Sequence, residues 1–258
     1  MDYNYHTHTY HCHHATGTPE EYILRAIEGG IRYIGFSEHI PLLLSGGSQS
    51  GYRMLLEDTD RYFQELSFLK KKYSKTIDIK IGFEVEYYPE YFDGMRRFAK
   101  DAGADYMILG QHFAIPEDLL GALYTAYPSD SPDRLAKYTE CVISGIRSGV
   151  FTYVCHPDVL NFTGEDEMYK EYARKICESS YENNVPLEIN FLGIRKSRNY
   201  PRDLFWQIAG EVGSPVTFGF DAHTAEDACD LVSLDAAHAL CKKYDLNYIG
   251  RPTLRPIF

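Results

Sequence analysis

The segment YHTHTYHCHH, Tyr5 to His14, holds five of the ten histidines of a 258-residue chain. Residues 1–7 begin a strand-like run, and side chains two positions apart in a strand point to the same face. His6 and His8 would therefore direct both imidazoles toward one metal ion. Histidine pairs also occur in surface tags and in hydrogen-bonded cores, so the pair indicates a metal site only if other ligand-type residues join it.

Outward from this segment, short apolar runs alternate with amphipathic stretches. Thr18, Pro19 and the two acids after them are typical of a helix start, because they cap the first amides and suit the positive end of the helix. Strands are predicted at 1–7, 33–37, 77–83, 105–110, 151–155, 186–190 and 216–220. Helices are predicted at 18–29, 57–75, 90–102, 132–148, 165–183, 203–212 and 225–243.

Ligand-type side chains recur where these strands end. They are His39 with Glu38, Glu84 with Glu86, His112, His156, and Asp221 with His223. An open doubly wound sheet uses one switch point for its site, whereas a barrel brings the carboxyl ends of all its strands together. The seven strand-helix units therefore predict an α/β barrel with its site at the C-terminal ends of the strands.

Length, charge and composition limit the remaining possibilities. No linker or repeat divides residues 1–258, which predicts a single domain. A net charge of -11 argues against binding to long nucleic acid but is compatible with a small phosphorylated substrate beside bound metal. No signal-peptide pattern or membrane span is visible, so we expect a cytoplasmic protein that binds no membrane. The sequence leaves the oligomeric state open.

Two further features concern loops and thiols. Residues 41–53 are rich in glycine and serine, and a loop of this length in a compact domain is usually functional, which predicts a lid. The six cysteines form no CxxC pair. Cys12 and Cys155 lie next to candidate ligands, and we interpret them as neighbours because the set of histidines and carboxylates is complete without them.

Several motifs together resemble the polymerase and histidinol phosphatase (PHP) family. They are HTH at 6–8, GFEVEY around Glu84, GQHF around His112, CHPD around His156 and DAH at 221–223. HCHHATGTPEEY, GFSEHIP and INFLGIRKSRNYP resemble the histidinol-phosphate phosphatase branch of that family. The resemblance extends over nearly the whole chain. It implies a distorted (β/α)7 TIM-like barrel that holds three divalent metal ions.

The resemblance also implies a ligand set for each ion. The first ion would be bound by His6, His8, Glu84 and Asp221, the second by Glu84, His112 and His156, and the third by His14, His39 and His223. His13 is the alternative to His14. We expect His11, His13 and His238 to be solvated or to lie behind the ligands, and Glu38 and Glu86 to orient ligand imidazoles. Donor sets rich in imidazole favour zinc, manganese or iron, and the sequence does not choose among them.

The implied reaction is hydrolysis of L-histidinol phosphate in histidine biosynthesis. Glu84 and Asp221 would act in catalysis with the metal ions. Arg195 would act in catalysis and, with His39, contact the phosphate; it is preferred to Arg53 and Arg198 because it follows the strand that lacks a metal ligand. The proton donor for the leaving group is left open between a metal-bound water and a His or Asp near the lid.

Two alternatives remain at this stage. One is a PHP phosphoesterase that acts on another small phosphate ester or a nucleotide. The other is a metal-stabilised binding domain without catalysis. All nine expected ligands are present, which favours an enzyme.

Overall fold

The computed structural model describes residues 1–42, 44, 47 and 49–258. The strands are β1 Tyr3–Asn4, β2 Tyr33–His39, β3 Asp78–Val85, β4 Tyr106–Leu109, β5 Leu187–Asn190, β6 Pro215–Gly219 and β7 Asn247–Tyr248. The helices are α1 Pro19–Glu28, α2 Thr59–Lys72, α3 Pro89–Asp101, α4 Pro132–Arg147, α5 Asp166–Asn183, α6 Phe191–Arg195, α7 Asp203–Val212 and α8 Leu231–Tyr244. Short 3-10 turns lie at Tyr10–Cys12, Leu56–Asp58 and Ala225–Cys229.

All paired strands are parallel, in two sheets of order β1-β2-β3-β4 and β5-β6-β7. Val154 joins the two sheets by bridging Leu109 at the end of β4 and Leu187 at the start of β5. A second bridge, Thr7 to Ala222, brings the chain after β1 against the chain after β6. The result is an α/β fold in which the parallel sheet curls and gathers the carboxyl ends of its strands.

The observed elements differ from the predicted ones at several points. The strand predicted at 1–7 is reduced to Tyr3–Asn4. The strand predicted at 151–155 is reduced to bridges at Val154. The helix predicted at 225–243 is divided, because the side chain of Asp230 caps a new helix by accepting a bond from Ser233 N at 2.9 Å. β7 and α6 were not predicted. β7 has only two residues, which is too short for a periodic pattern.

The inside of the curl is filled by aromatic rings. A buried cluster of Tyr3, Tyr5, Tyr106, Ile108, Tyr153 and Cys155 lies there, separate from the larger core between sheet and helices. The Tyr106 hydroxyl donates to the carbonyl of Tyr5 at 2.8 Å. Gly35 and Gly82 leave room for the Tyr106 ring, since a Cβ at either position would lie within 2.6 Å of a Tyr106 atom. Tyr3 and Tyr106 of this cluster are the first residues of β1 and β4.

In the described part of the chain, no helix is long and apolar enough to cross a membrane.

The replacement Gly82→Ala should lower the free energy of unfolding by about 1–3 kcal/mol, the usual range for an overpacked core. Its Cβ would lie 2.5 Å from the Tyr106 carbonyl oxygen, which belongs to backbone and cannot rotate away. Urea unfolding followed by circular dichroism measures the change.

Gly94→Ala is the matched control, because Gly94 is an exposed residue of α3 with no atom within 4 Å of the added Cβ. It should raise the free energy of unfolding by about 0.5–1 kcal/mol, since alanine is the better helix former. Equal effects of the two variants would contradict the packing described here.

Candidate metal centre

The nine ligand-type residues predicted from the sequence lie together at the carboxyl ends of the strands. They are His6, His8, His14, His39, Glu84, His112, His156, Asp221 and His223. The pairing of β2 with β3 places His39 directly opposite Glu84. His14 reaches the group from the segment after the 3-10 turn Tyr10–Cys12. The curl of the sheet thus brings residues from distant parts of the chain together in one cluster.

Glu84 is the centre of this cluster and is 1% exposed. Its two oxygens are approached at 3.0–3.6 Å by nitrogens of five imidazoles: His6, His8 and His39 at Oε2, and His112 and His156 at Oε1. Gly110 makes room for the carboxylate, because a Cβ there would lie 1.8 Å from Oε1. No side chain larger than glycine fits at that position without displacing Glu84.

Asp221 approaches the same group from the other side. Its Oδ1 lies 3.6 Å from the Nε2 atoms of both His6 and His8, and 3.3 Å from His223 Nδ1. His6 and His8 therefore lie between two buried carboxylates. This is the arrangement that the two-residue spacing in the first strand predicted.

Three imidazoles lie together at the border of the Glu84 cluster: His14, His39 and His223. The Nε2 atoms of His14 and His223 are 3.1 Å apart, and the ring of His14 stacks on that of His39 at 5.3 Å. The Nδ1 atom of His14 pairs with the Cys12 carbonyl at 2.8 Å, so its Nε2 faces inward.

The other histidines lie elsewhere. His13 adopts a positive φ of 64° and turns toward Asp58 at 3.7 Å, so His14 and not His13 joins the cluster. His11 pairs with Glu65 at 3.1 Å. His238 packs against Phe218 and Tyr248.

These residues fit divalent cations by two criteria. Among the residues that the structure describes, buried polar atoms of the cluster lack hydrogen-bond partners, for example His6 Nε2, His8 Nε2 and Glu84 Oε2. Two ligands at about 2.0–2.1 Å from a tetrahedral zinc ion lie about 3.4 Å apart, which is close to the nitrogen–oxygen separations found here. Buried polar atoms without protein partners call for an ion or a water, and imidazole donors favour a transition metal.

The electrostatics of the cluster also favour cations. Burial acts to raise the pKa of Glu84, but the surrounding imidazoles, His112 and His39 first, hold it well below its usual range. Burial opposes the charged form of His8, yet its contacts with Glu38 and Glu84 raise its pKa to about 9. Burial and the neighbouring His8 lower the pKa of His223 to about 3. The buried carboxylates thus attract positive charge while other imidazoles stay neutral, as metal ligation requires.

Carboxylates behind the ligands orient them. Glu86 Oε1 lies 3.3 Å from His112 Nδ1, whereas Glu38 Oε2 lies 3.7 Å from His8 Nδ1, which is longer than a hydrogen bond. Arg53 is buried and pairs with Glu86 and Glu117. Arg53 is therefore occupied behind the cluster.

Glu188 is an orienting residue that the sequence analysis missed. Its Oε1 is 2.8 Å from His6 Nδ1, and its Oε2 accepts from the backbone of His156 at 3.0 Å and from Asn190 Nδ2 at 2.9 Å. Asn190 Nδ2 also donates to Asp221 Oδ2 at 3.0 Å. The signal was present, because Glu188 and Asn190 alternate with apolar residues in β5 and so share one face. Both polar residues are completely buried on that face.

A cavity of about 500 Å³ opens beside the cluster. Aromatic side chains line much of its wall: Tyr52, Phe113, Tyr124, Tyr127 and Tyr200. Lys196 and Arg198 are the lysine and arginine among its described lining residues. The cavity thus offers positive charge and aromatic surface next to the metal-ligand group.

Arg195 does not line this cavity. Its guanidinium donates to the carbonyls of Phe220 and Asp221 at 2.8 and 3.0 Å, and it pairs with Asp227 and Asp230 at 3.1 Å each. The phosphate contact predicted for Arg195 does not fit this geometry. The sequence indicated correctly that the segment after β5 brings an arginine to the cavity. The turn beyond α6, however, places Arg198 there and not Arg195.

The predicted lid at 41–53 is described only in part, and residues 43, 45, 46 and 48 lie outside the described residues. Tyr52 from this segment lines the cavity, and its ring contacts those of His39 and Phe113. Its hydroxyl donates to Glu117. The segment therefore contributes to the cavity wall.

Comparison with known proteins agrees with this geometry. A histidinol-phosphatase from Bacillus subtilis strain 168 is 28% identical over 250 residues, which are 86% of this chain and 93% of the relative. A histidinol phosphate phosphatase from Lactococcus lactis, solved in complex with zinc, L-histidinol and phosphate, has the same fold: the TM-score is 0.72 at 21% identity, with 96% of this chain and 95% of that chain covered. The model of the PHP domain matches residues 4–191. Since this match spans most of the sequence, the protein belongs to the PHP family.

Proposed function

We propose that this chain is a metal-dependent phosphomonoester hydrolase that converts L-histidinol phosphate and water to L-histidinol and phosphate. The observation that carries the proposal is the buried Glu84 carboxylate, surrounded by imidazoles at the end of a cavity that also holds two cationic side chains. The histidinol-phosphatase of Bacillus subtilis, similar over nearly its whole length, supports the choice of substrate.

We propose that the cluster holds three divalent ions, drawn from zinc, manganese and iron. Glu84 would be shared by the first ion, with His6, His8 and Asp221, and the second, with His112 and His156. His14, His39 and His223 would hold the third. When bound, such ions supply the positive charge that activates a water and neutralises phosphate oxygens. The separations of the ring nitrogens from Glu84 and Asp221 support shared ligation.

The side chains of the cavity would bind and orient the substrate. Arg198, with Lys196 beside it, would pair with phosphate oxygens, because guanidinium groups bind phosphate with directed, charge-assisted hydrogen bonds. His39 also lines the cavity and lies next to the phosphate position that this arrangement implies. The aromatic wall, in which the rings of Phe113 and Tyr124 meet edge to face with centroids 5.8 Å apart, offers apolar surface for an imidazole ring.

We also propose that residues 1–258 form a single domain and that the curled sheets close into a distorted (β/α)7 barrel. The bridges from Val154 to both sheets and from Thr7 to Ala222 support closure. The large hydrophobic cluster, which includes Ile34 from one sheet and Val216 from the other, supports a single domain.

The substrate proposal is tested by turnover of L-histidinol phosphate against a nucleoside 5′-monophosphate and p-nitrophenyl phosphate. We expect the highest kcat/KM for L-histidinol phosphate, loss of all three activities with a chelator, and recovery on addition of zinc or manganese. A higher kcat/KM for the nucleotide would contradict the substrate. Activity that survives complete metal removal would contradict the metal centre.

Glu188→Gln should weaken metal binding by about 10- to 100-fold, the usual effect of changing a group that orients a ligand. The amide has one oxygen where the carboxylate has two. Its NH2 group would therefore either face the donors His156 N and Asn190 Nδ2 or replace the oxygen that pairs with His6 Nδ1. Metal content after dialysis against a graded chelator series measures the effect. Glu178→Gln, on the exposed face of α5, is the control and should retain wild-type metal content. Equal retention by both variants would remove Glu188 from this role.

Arg198→Gln should raise KM for phosphomonoesters by about 10- to 100-fold, because a hydrogen bond to a charged group contributes about 1.5–3 kcal/mol. Arg195→Gln should leave KM near the wild-type value and lower Tm, since Arg195 joins the backbone at Phe220 to Asp230. Steady-state kinetics and thermal unfolding separate the two. The reverse pattern, with KM raised only in Arg195→Gln, would restore Arg195 as the phosphate ligand.

A further inference from the structure

Arg198 and Tyr200 form a bonded pair on the cavity wall. Arg198 Nη1 lies 3.2 Å from Tyr200 Oη, and both residues line the cavity. A guanidinium only donates hydrogen bonds, so the phenol oxygen is the acceptor in this contact. Among the described residues, Arg198 is the hydrogen-bond partner of the Tyr200 hydroxyl. The hydrogen of that hydroxyl is therefore left for a ligand.

Tyr200 is held rigidly next to the metal-ligand cluster. Its side chain is 3% exposed, and its ring centroid lies 6.0 Å from that of His156. The ring packs over Gly193, where a Cβ would lie only 2.3 Å from Tyr200 Cδ2. Burial first, and then the charge of Asp221, raise the pKa of the phenol above its ordinary range. The hydroxyl is thus fixed between the proposed metal ligands and the cation proposed to bind phosphate.

The proposed reaction needs a proton at the leaving oxygen. An alkoxide is a strong base and leaves poorly unless it is protonated as the phosphorus–oxygen bond breaks. The imidazoles of the cavity are committed as proposed metal ligands, and the hydroxyl of Tyr52 already donates to Glu117. Tyr127 is 60% exposed, which leaves the buried Tyr200 and the half-buried Tyr124 as hydroxyl donors of the lining. Tyr200 is the more deeply buried of the two, and its oxygen accepts from Arg198 at 3.2 Å, which leaves its own hydrogen available.

We propose that Tyr200 is the general acid of this site and that Arg198 positions its hydroxyl at the ester oxygen. This inference rests on the proposed phosphomonoester hydrolysis. A phenol whose pKa lies at or above its ordinary value of about 10 carries its proton at neutral pH and can donate it to an alkoxide. The cationic neighbour stabilises the phenolate that is left behind.

Atoms and charge are conserved in this step. The oxygen of a water forms a bond to phosphorus while the bond from phosphorus to the ester oxygen breaks. The electron pair of the broken bond stays on the ester oxygen, which takes the hydrogen from Tyr200 Oη. The proton lost by the attacking water returns to the phenolate through solvent. The products are the free alcohol and phosphate, with Tyr200 restored.

The test compares two substrates in Tyr200→Phe, a variant that keeps the ring packed on Gly193. L-Histidinol phosphate has an alkyl leaving group that needs a proton, and p-nitrophenyl phosphate has one that leaves as a stable anion. We expect kcat for L-histidinol phosphate to fall by about 10²- to 10⁴-fold, the usual contribution of a general acid. The kcat for p-nitrophenyl phosphate should change by no more than a few-fold, with wild-type metal content.

Tyr181→Phe is the matched control, because it removes the hydroxyl of an exposed tyrosine of α5 that does not belong to the cavity lining. It should leave the ratio of the two kcat values close to that of the wild type. Equal losses for both substrates in Tyr200→Phe, or a selective loss in Tyr124→Phe instead, would overturn the assignment of Tyr200.

A second measurement needs no variant. A series of aryl phosphates with leaving groups of graded acidity should show a shallow dependence of kcat/KM in the wild type, since an acid compensates poor leaving groups. A steep dependence in the wild type would overturn the proposal. If wild-type protein with its metals hydrolyses neither substrate, the proposed function fails together with this inference. If it hydrolyses both but Tyr200→Phe shows no selectivity, only the proton donor is wrong.

Discussion

The carboxylate of Glu84, sealed from water among five imidazoles, is the constraint on which the rest of the site depends. Removing an ionised carboxylate from water costs several kcal/mol unless nearby positive charge and hydrogen bonds compensate for it. Here the compensation comes from imidazoles delivered by separate strands. Gly110 provides the space, and Glu188 with Glu86 fixes the rings that surround the charge. The same arrangement that makes the anion tolerable also makes it a site for cations.

Much of the fold followed from local patterns in the sequence. The apolar runs that became β2 and β3 and the capped start of α1 are each determined by neighbouring residues, and they formed where predicted. Elements that depend on distant partners were harder to predict. Val154 bridges two sheets without a regular strand around it, and β7 exists only because Asn247 and Tyr248 pair with the start of β6.

In the candidate site too, some features follow from local sequence and others depend on distant contacts. Strand ends in a parallel sheet converge, so the position of His39, His112 and His156 after their strands was enough to predict that they meet. The direction of a long side chain beyond a turn depends on backbone geometry that no spacing encodes. α6 ends at Arg195, and the following turn, in which Ser197 has a positive φ of 48°, places Arg198 at the cavity. Arg195 is drawn instead to the carbonyls of Phe220 and Asp221.

The tyrosines inside the curl have a consequence for how metal ions would reach the centre. Tyr3, Tyr5, Tyr106 and Tyr153 are nearly inaccessible to solvent and pack in one cluster, in which Tyr3 and Tyr106 begin β1 and β4. Such a plug offers a hydrated cation no path, because crossing it would require shedding water among packed rings. Ions and substrate would then enter through the same doorway, the cavity beside the cluster. Phosphate that lingers in this doorway after turnover would also delay the escape of the ions behind it, so product release and metal retention become linked events.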